Sequence, residues 1–125
     1  MRTLLIADDE PGIRALVRMT LQNETYEILE AADGEAALEI ARSRHPELIL
    51  LDVSMPKLTG IDVCRAIKGD PDTSDIVIVM LTARAQQADR EQGQLAGVDD
   101  YFTKPFSPVA LMNLVDGIYS EQRTA

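Results

Sequence analysis

Short apolar runs alternate with amphipathic segments along the whole chain. Residues 3–7, Tyr26–Ala31, 47–51, 76–81 and 100–103 are short and rich in apolar or β-branched side chains, as strands are. Three runs, 4–7, 48–51 and 76–81, are apolar throughout and do not alternate. A strand with one wet face alternates, so continuous apolar runs predict strands covered on both faces, as in a parallel sheet. Helical periodicity appears between them. Residues 12–23 place Ile13, Leu16, Val17 and Leu21 on one stripe, with Pro11 suited to a first turn. Gly34–Arg44 carries Ala37, Leu38 and Ala41, and Asp33-Gly34 marks the turn before it. Residues 59–68 open on Thr59, a cap, and carry Ile61, Val63, Cys64 and Ile67. Residues 85–96 form a weaker fourth helix, and Ser107-Pro108 begins a fifth with Leu111, Leu114, Val115 and Ile118 on one face.

The order is βα repeated five times. With short connections and right-handed crossovers, this predicts a three-layer α/β sandwich around a five-stranded parallel sheet. No repeat, linker or low-complexity stretch interrupts it, and one domain over residues 1–125 is expected. In such sheets the functional crevice lies at the carboxyl ends of the strands. Asp8, Asp9, Asp52, Thr82 and Lys104 all fall at such ends, on strands one, three, four and five, so folding should gather them.

Composition narrows the function. The chain is 46% hydrophobic and 26% charged, ordinary for a soluble domain. No apolar stretch reaches the ~20 residues of a membrane span, and the start does not read as a signal peptide. Cys64 is the single cysteine, which excludes an internal disulfide, suits a reducing cytoplasm and reads as a buried hydrophobe. The net charge of −9 argues against direct binding of nucleic acid and for cationic partners.

Carboxylates delivered together by buried strands repel one another unless something cationic binds. Asp9 and Asp52 can ligate a hard cation such as Mg2+, with Asp8 holding a metal-bound water. A carboxylate is also a nucleophile toward phosphorus. Thr82 offers a hydroxyl donor and Lys104 an ammonium to phosphoryl oxygens. Together they make a minimal phosphoryl-transfer site.

The residues that carry this chemistry resemble the receiver domain of bacterial two-component response regulators, of the chemotaxis-regulator-like type. The matching motifs are Asp8-Asp9, Asp52 with Met55-Pro56 and Gly60, Thr82-Ala83, Lys104-Pro105-Phe106 and the stretch from Ala96 to Tyr101. The resemblance covers essentially the whole chain, and the spacings among Asp52, Thr82 and Lys104 agree with it. It implies a flavodoxin-like doubly wound sheet of order 2-1-3-4-5. It implies that Asp52 is the phosphoacceptor, Asp9 a direct ligand of Mg2+ (or Mn2+), Asp8 an outer one, and the Ser54 backbone carbonyl a further ligand. Thr82 and Lys104 would hold the phosphoryl group. A histidine kinase or phosphotransfer protein would donate it, and the receiver would catalyse only its own phosphorylation and dephosphorylation. Thr82 would then move and Tyr101 rotate inward, rearranging the face of helix four, strand five and helix five toward a downstream protein or output domain. The Lys104-Pro105 bond is cis in relatives.

Plainer readings stand beside these. Asp8, Asp9 and Glu10 suit a helix start, Asp52 a turn, Thr82 an N-cap, Lys104 the surface and Tyr101 a static strand aromatic. His45, before Pro46, reads as a helix-end or surface residue. The positions that tune hydrolysis in the family are Ser54 and Arg84; Arg84 would shield the phosphoryl group or pair with Glu10. Asp99, Asp100 and Arg90 suit the charged pairing by which some receivers dimerise, but the last helix offers no basic partner. Val109, Met112 and Tyr119 instead suggest an apolar docking patch on a monomer or weak dimer. Two other classes fit a similar sheet: a haloacid-dehalogenase-type phosphatase and a flavodoxin-like cofactor binder. The first expects an Asp-x-Asp motif after strand one and a cap domain; the second expects a Ser/Thr/Gly-rich loop there.

Overall fold

The computed structural model describes residues 2–21, 26–83, 97–104 and 106–124. Among them the elements run β1 (Arg2–Ala7), α1 (Pro11–Leu21), β2 (Tyr26–Ala31), α2 (Gly34–Arg44), β3 (Leu48–Asp52), α3 (Gly60–Lys68), β4 (Val77–Ala83), β5 (Asp100–Lys104) and α4 (Pro108–Thr124). The last is the fifth helix predicted from the sequence. The predicted fourth helix, together with Arg84, Arg90 and the Lys104-Pro105 bond, lies outside the described residues. The strands form one parallel sheet in the order β2-β1-β3-β4-β5, as expected.

The unbroken apolar strands follow from a core split by the sheet. Successive side chains of a strand point to opposite faces. Leu5, Ala7, Ile49, Leu51, Ile78 and Met80 face a layer built with Ala37 and Ala41 of α2 and Val63, Cys64 and Ile67 of α3. Leu4, Ile6, Leu48, Leu50, Val79 and Leu81 face the other, with Val17 and Leu21 of α1 and Leu111, Val115 and Tyr119 of α4. Cys64 is fully buried, and burial pushes its thiol up to about 11, so it behaves as a hydrophobe.

Local signals end the helices where expected. Asp33 caps α2 by accepting from the Ala36 N–H, and Thr59 caps α3 by accepting from the Asp62 N–H. Ser107 does the same for the Ala110 N–H at the start of α4. His45 takes the left-handed conformation at the end of α2, its N–H donates to the Ala41 carbonyl, and its ring lies 3.0 Å from Asp75 on the surface.

One surface expectation needs correction. Tyr119 is not part of an exposed patch: it is 2% exposed, whereas Val109 and Met112 are 66% and 45% exposed. Tyr119 continues the i, i+4, i+8 row of Leu111 and Val115 and so turns inward. It packs on Tyr26 with ring centroids 5.5 Å apart, and its hydroxyl donates to the Thr3 carbonyl. Asp99 is engaged within the chain, 2.9 Å from Lys68 Nζ and accepting from the Ile78 N–H at 2.7 Å.

Candidate functional site

Strand register builds the site. Ala7 of β1 is paired with Leu51 of β3, so the next residues, Asp8 and Asp52, emerge side by side at the carboxyl edge. Asp52 is paired with Leu81 of β4, which puts Thr82 one step further along, opposite Thr103 of β5. Lys104 ends β5 opposite Ala83. Adjacent parallel strands end at one level, so residues distant in sequence meet there.

Carboxylate oxygens of Asp8, Asp9 and Asp52 lie within 4.8 Å of one another. Asp8 is fully buried, Asp52 is 7% exposed and Asp9 is open to solvent. Asp8 is anchored by its own backbone, whose N–H donates to the Ala31 carbonyl and whose carbonyl accepts from Arg14. Asp8 Oδ1 accepts from the Glu10 N–H at 2.9 Å. Its Oδ2 lies 2.7 Å from Lys104 Nζ, a charge contact off the directed hydrogen-bond geometry, and the same ammonium is 3.5 Å from Asp52 Oδ1. Asp52 Oδ1 also accepts from the Ser54 N–H at 3.3 Å.

The electrostatics are those of a crowded acidic pocket. Burial first, and the Asp8 carboxylate second, push Asp52 up from 3.8 to about 6, against the pull of Lys104 and the Ser54 N–H. Burial alone would lower the Lys104 ammonium, but Asp8, Asp52 and Glu10 more than offset it, and Lys104 titrates above its ordinary value. Lys104 is therefore a fixed cation at neutral pH. Thr82 is 1% exposed, and its Oγ1 has no hydrogen-bond partner among the described residues. A buried hydroxyl without a partner is costly, so its presence beside Asp52 points to a ligand. Tyr101 is half-buried in β5 against the α2–α3 side of the core.

The carboxylate cluster fits a hard divalent cation. Its donors are all oxygen, two of its members are shielded from water, and their mutual repulsion is relieved by positive charge. The loop from β3 to α3 is shaped for close backbone approach at Gly60: a Cβ there would lie 2.1 Å from the Asp52 carbonyl oxygen, and its N–H donates to the Val53 carbonyl.

The structure thus brings together Asp8, Asp9, Asp52, Thr82 and Lys104, and places Ser54 beside Asp52. Sequence reasoning missed the wall behind them. Gly34 holds the middle of the β3–α3 loop through Pro56, yet Asp33-Gly34 signals only a turn before a helix. Arg14 likewise carries no signal beyond a helical position, although it holds the Asp8 carbonyl at 2.8 Å and pairs with Glu30.

Comparison with known proteins agrees with this geometry. The family profile of the response regulator receiver domain matches residues 4–116. The phosphate regulon transcriptional regulatory protein PhoB of Pseudomonas aeruginosa is 44% identical over 111 residues, which cover 89% of this chain and 48% of that protein. This chain spans about half the length of the curated relatives it matches. Among solved structures, a putative response regulator from Chloroflexus aurantiacus superposes with a TM-score of 0.87 at 34% identity, covering 95% of this chain and 98% of that one. The receiver domain of the sensor histidine kinase PA1611 from Pseudomonas aeruginosa, with a magnesium ion coordinated in its active site cleft, superposes with a TM-score of 0.82 at 31% identity, covering 90% and 93%. With a family match spanning most of its length and this fold and acidic edge, the chain belongs to the response regulator receiver domain family, the phosphorylation-activated switches of two-component signalling.

Proposed function

We propose that Asp52 is the phosphoacceptor of this switch. The observation that carries the reading is the convergence at one strand edge of a buried carboxylate, a fixed ammonium 3.5 Å away and a buried hydroxyl without a partner. An oxygen of Asp52 attacks phosphorus of a phosphohistidine. The phosphorus–nitrogen bond breaks as the phosphorus–oxygen bond forms, and the departing imidazole takes a proton. Lys104 and the Thr82 hydroxyl each bind a phosphoryl oxygen, in place of the contacts they make or lack before transfer.

Asp9, Asp52 and the Ser54 backbone carbonyl would hold Mg2+ (or Mn2+), with Asp8 acting through a bound water. Bound there, it would offset the negative charge building on the phosphoryl oxygens. The magnesium in the related PA1611 receiver supports this assignment. The chain contributes burial, fixed charge and alignment to its own phosphorylation and dephosphorylation and turns over no separate substrate.

A new dianionic group at Asp52 biases a bistable element. Thr82 moves toward it and Tyr101 turns inward, and the face containing β5 and α4 changes. A histidine kinase or phosphotransfer protein supplies the phosphoryl group, and a downstream protein or output domain reads the face. The net charge of −9 makes direct nucleic-acid contact by this domain unfavourable, and the domain works in the cytoplasm as a monomer or weak dimer. Among the described residues no helix is long and apolar enough to cross a membrane.

Incubation with Mg2+ and acetyl phosphate tests the reading. One base-labile phosphoryl group on Asp52, absent in Asp52→Asn, is expected, together with Mg2+-dependent beryllofluoride binding. Equal labelling of the Asn variant, or catalytic release of many equivalents of phosphate as a haloacid-dehalogenase-type phosphatase would give, refutes it.

A further inference from the structure

The β2–α2 corner makes contacts that the phosphoryl chemistry leaves unused. Residues 53–59 join β3 to α3 and include Ser54. Within the loop, the Leu58 N–H donates to the Pro56 carbonyl at 2.9 Å. The loop's midpoint is anchored from another element: the Gly34 N–H, at the start of α2, donates to the same Pro56 carbonyl at 3.2 Å. Gly34 is buried, and a Cβ there would lie 2.0 Å from the Leu58 carbonyl oxygen and 2.7 Å from the Leu58 carbonyl carbon and Cβ. These are mostly backbone atoms, which cannot swing aside like the tip of a long side chain. Any side chain at position 34 must push the loop away by about 1.4 Å or more to restore ordinary van der Waals separation.

Neighbouring contacts point the same way. Asp33, which caps α2, has its second oxygen 3.7 Å from Lys57 Nζ. Lys57 sits at φ 72°, a left-handed conformation that a non-glycine residue keeps only where its surroundings hold it. The corner and the loop are therefore one packed unit, with Gly34 at the point of closest approach.

We infer that Gly34 is a positioning residue for the cation site: by letting the Pro56 and Leu58 backbone seat against the first turn of α2, it sets where Ser54 lies relative to Asp52. The inference rests on the metal reading proposed above. Mg2+ demands near-ideal octahedral geometry with ligands at about 2.0–2.1 Å, so a loop strained by a displacement of more than half that distance presents the Ser54 carbonyl poorly.

The test is calorimetric titration of Mg2+ alone into the parent, Gly34→Ala and Val17→Ala, the last a core truncation on the opposite face of the sheet. Gly34→Ala is expected to weaken Mg2+ binding by about tenfold or more, the size of other outer-shell effects on metal sites. Val17→Ala, although destabilised, should bind within about twofold of the parent. With acetyl phosphate, the Mg2+ concentration for half-maximal labelling should rise in Gly34→Ala, while the rate at saturating Mg2+ falls by less than about threefold. Gly34→Ala binding Mg2+ within about twofold of the parent overturns the inference. Should that variant fail to fold, amide exchange in the parent decides: added Mg2+ should slow exchange of the Gly34 N–H by about tenfold, and unchanged exchange overturns the inference. A parent that binds no Mg2+ overturns the metal reading and this inference together; a normal parent with a normal Gly34→Ala overturns the inference alone.

Discussion

Replacing Asp52 by Asn should stabilise the protein at neutral pH when divalent cations are chelated, although the residue is proposed to be the functional centre. Burial and the Asp8 carboxylate raise the Asp52 carboxyl from 3.8 to about 6. Between these values the folded chain holds a proton that the unfolded chain has released. The stability contributed by this group is therefore complete below about pH 4 and is lost as pH rises through about 6. Each tenfold rise in proton affinity is worth about 1.36 kcal/mol, so the ionised carboxylate costs the folded chain about 3 kcal/mol above that range. Asn keeps the shape and removes the charge. For a chain of this size about 3 kcal/mol is on the order of 10 °C in Tm. Thermal and urea denaturation with a chelator at about pH 7.5 and about pH 4 measures it. The Asn variant should melt higher at the first pH, and the two curves should converge at the second. Added Mg2+ should close the gap at neutral pH by stabilising the parent more than the variant. An Asn variant no more stable than its parent at neutral pH, or a gap that persists unchanged in acid, refutes the electrostatic account.

Three further outcomes follow from the same geometry. Thr82→Val replaces a buried hydroxyl without a partner by an isosteric methyl, so Tm should hold or rise by the equivalent of about 1 kcal/mol while labelling by acetyl phosphate slows by about tenfold; a clear loss of stability would show that Oγ1 is bonded in the resting protein. Lys104→Ala removes the cation 2.7 Å from buried Asp8, which should destabilise the chelated protein by about 3 kcal/mol and, by removing a competing positive charge, tighten Mg2+ binding several-fold in calorimetry; unchanged affinity would refute the competition. Gly60→Ala forces a Cβ to 2.1 Å from the Asp52 carbonyl and should lower stability by more than about 3 kcal/mol in urea denaturation, an outcome that a silent substitution would contradict.

Much of this molecule is legible in its sequence because the signals are local. Runs such as 48–51, apolar at every position, state that β3 is covered on both faces, and the two-sided core of Ile49 and Leu51 against Leu48 and Leu50 follows from strand alternation alone. The cap at Thr59, the turn at Asp33-Gly34, the helix end at His45 and the placement of Asp8, Asp52 and Lys104 at carboxyl ends are likewise written in neighbouring residues. Sequence determined which chemistry is available and on which edge it appears. Tertiary structure alone decided the distances: that Lys104 contacts Asp8 more closely than Asp52, that Thr82 is buried without a partner, that Asp99 is held by Lys68, and that Tyr119 turns inward as its row on α4 continues. It also decided that Gly34 and Leu58, neither of them a charged or nucleophilic residue, meet with no room for a methyl group between them. The reason is physical. Periodicity and capping depend on residues within about a turn or two of one another, whereas charge pairing and steric fit depend on register and packing between strands and helices far apart in the chain.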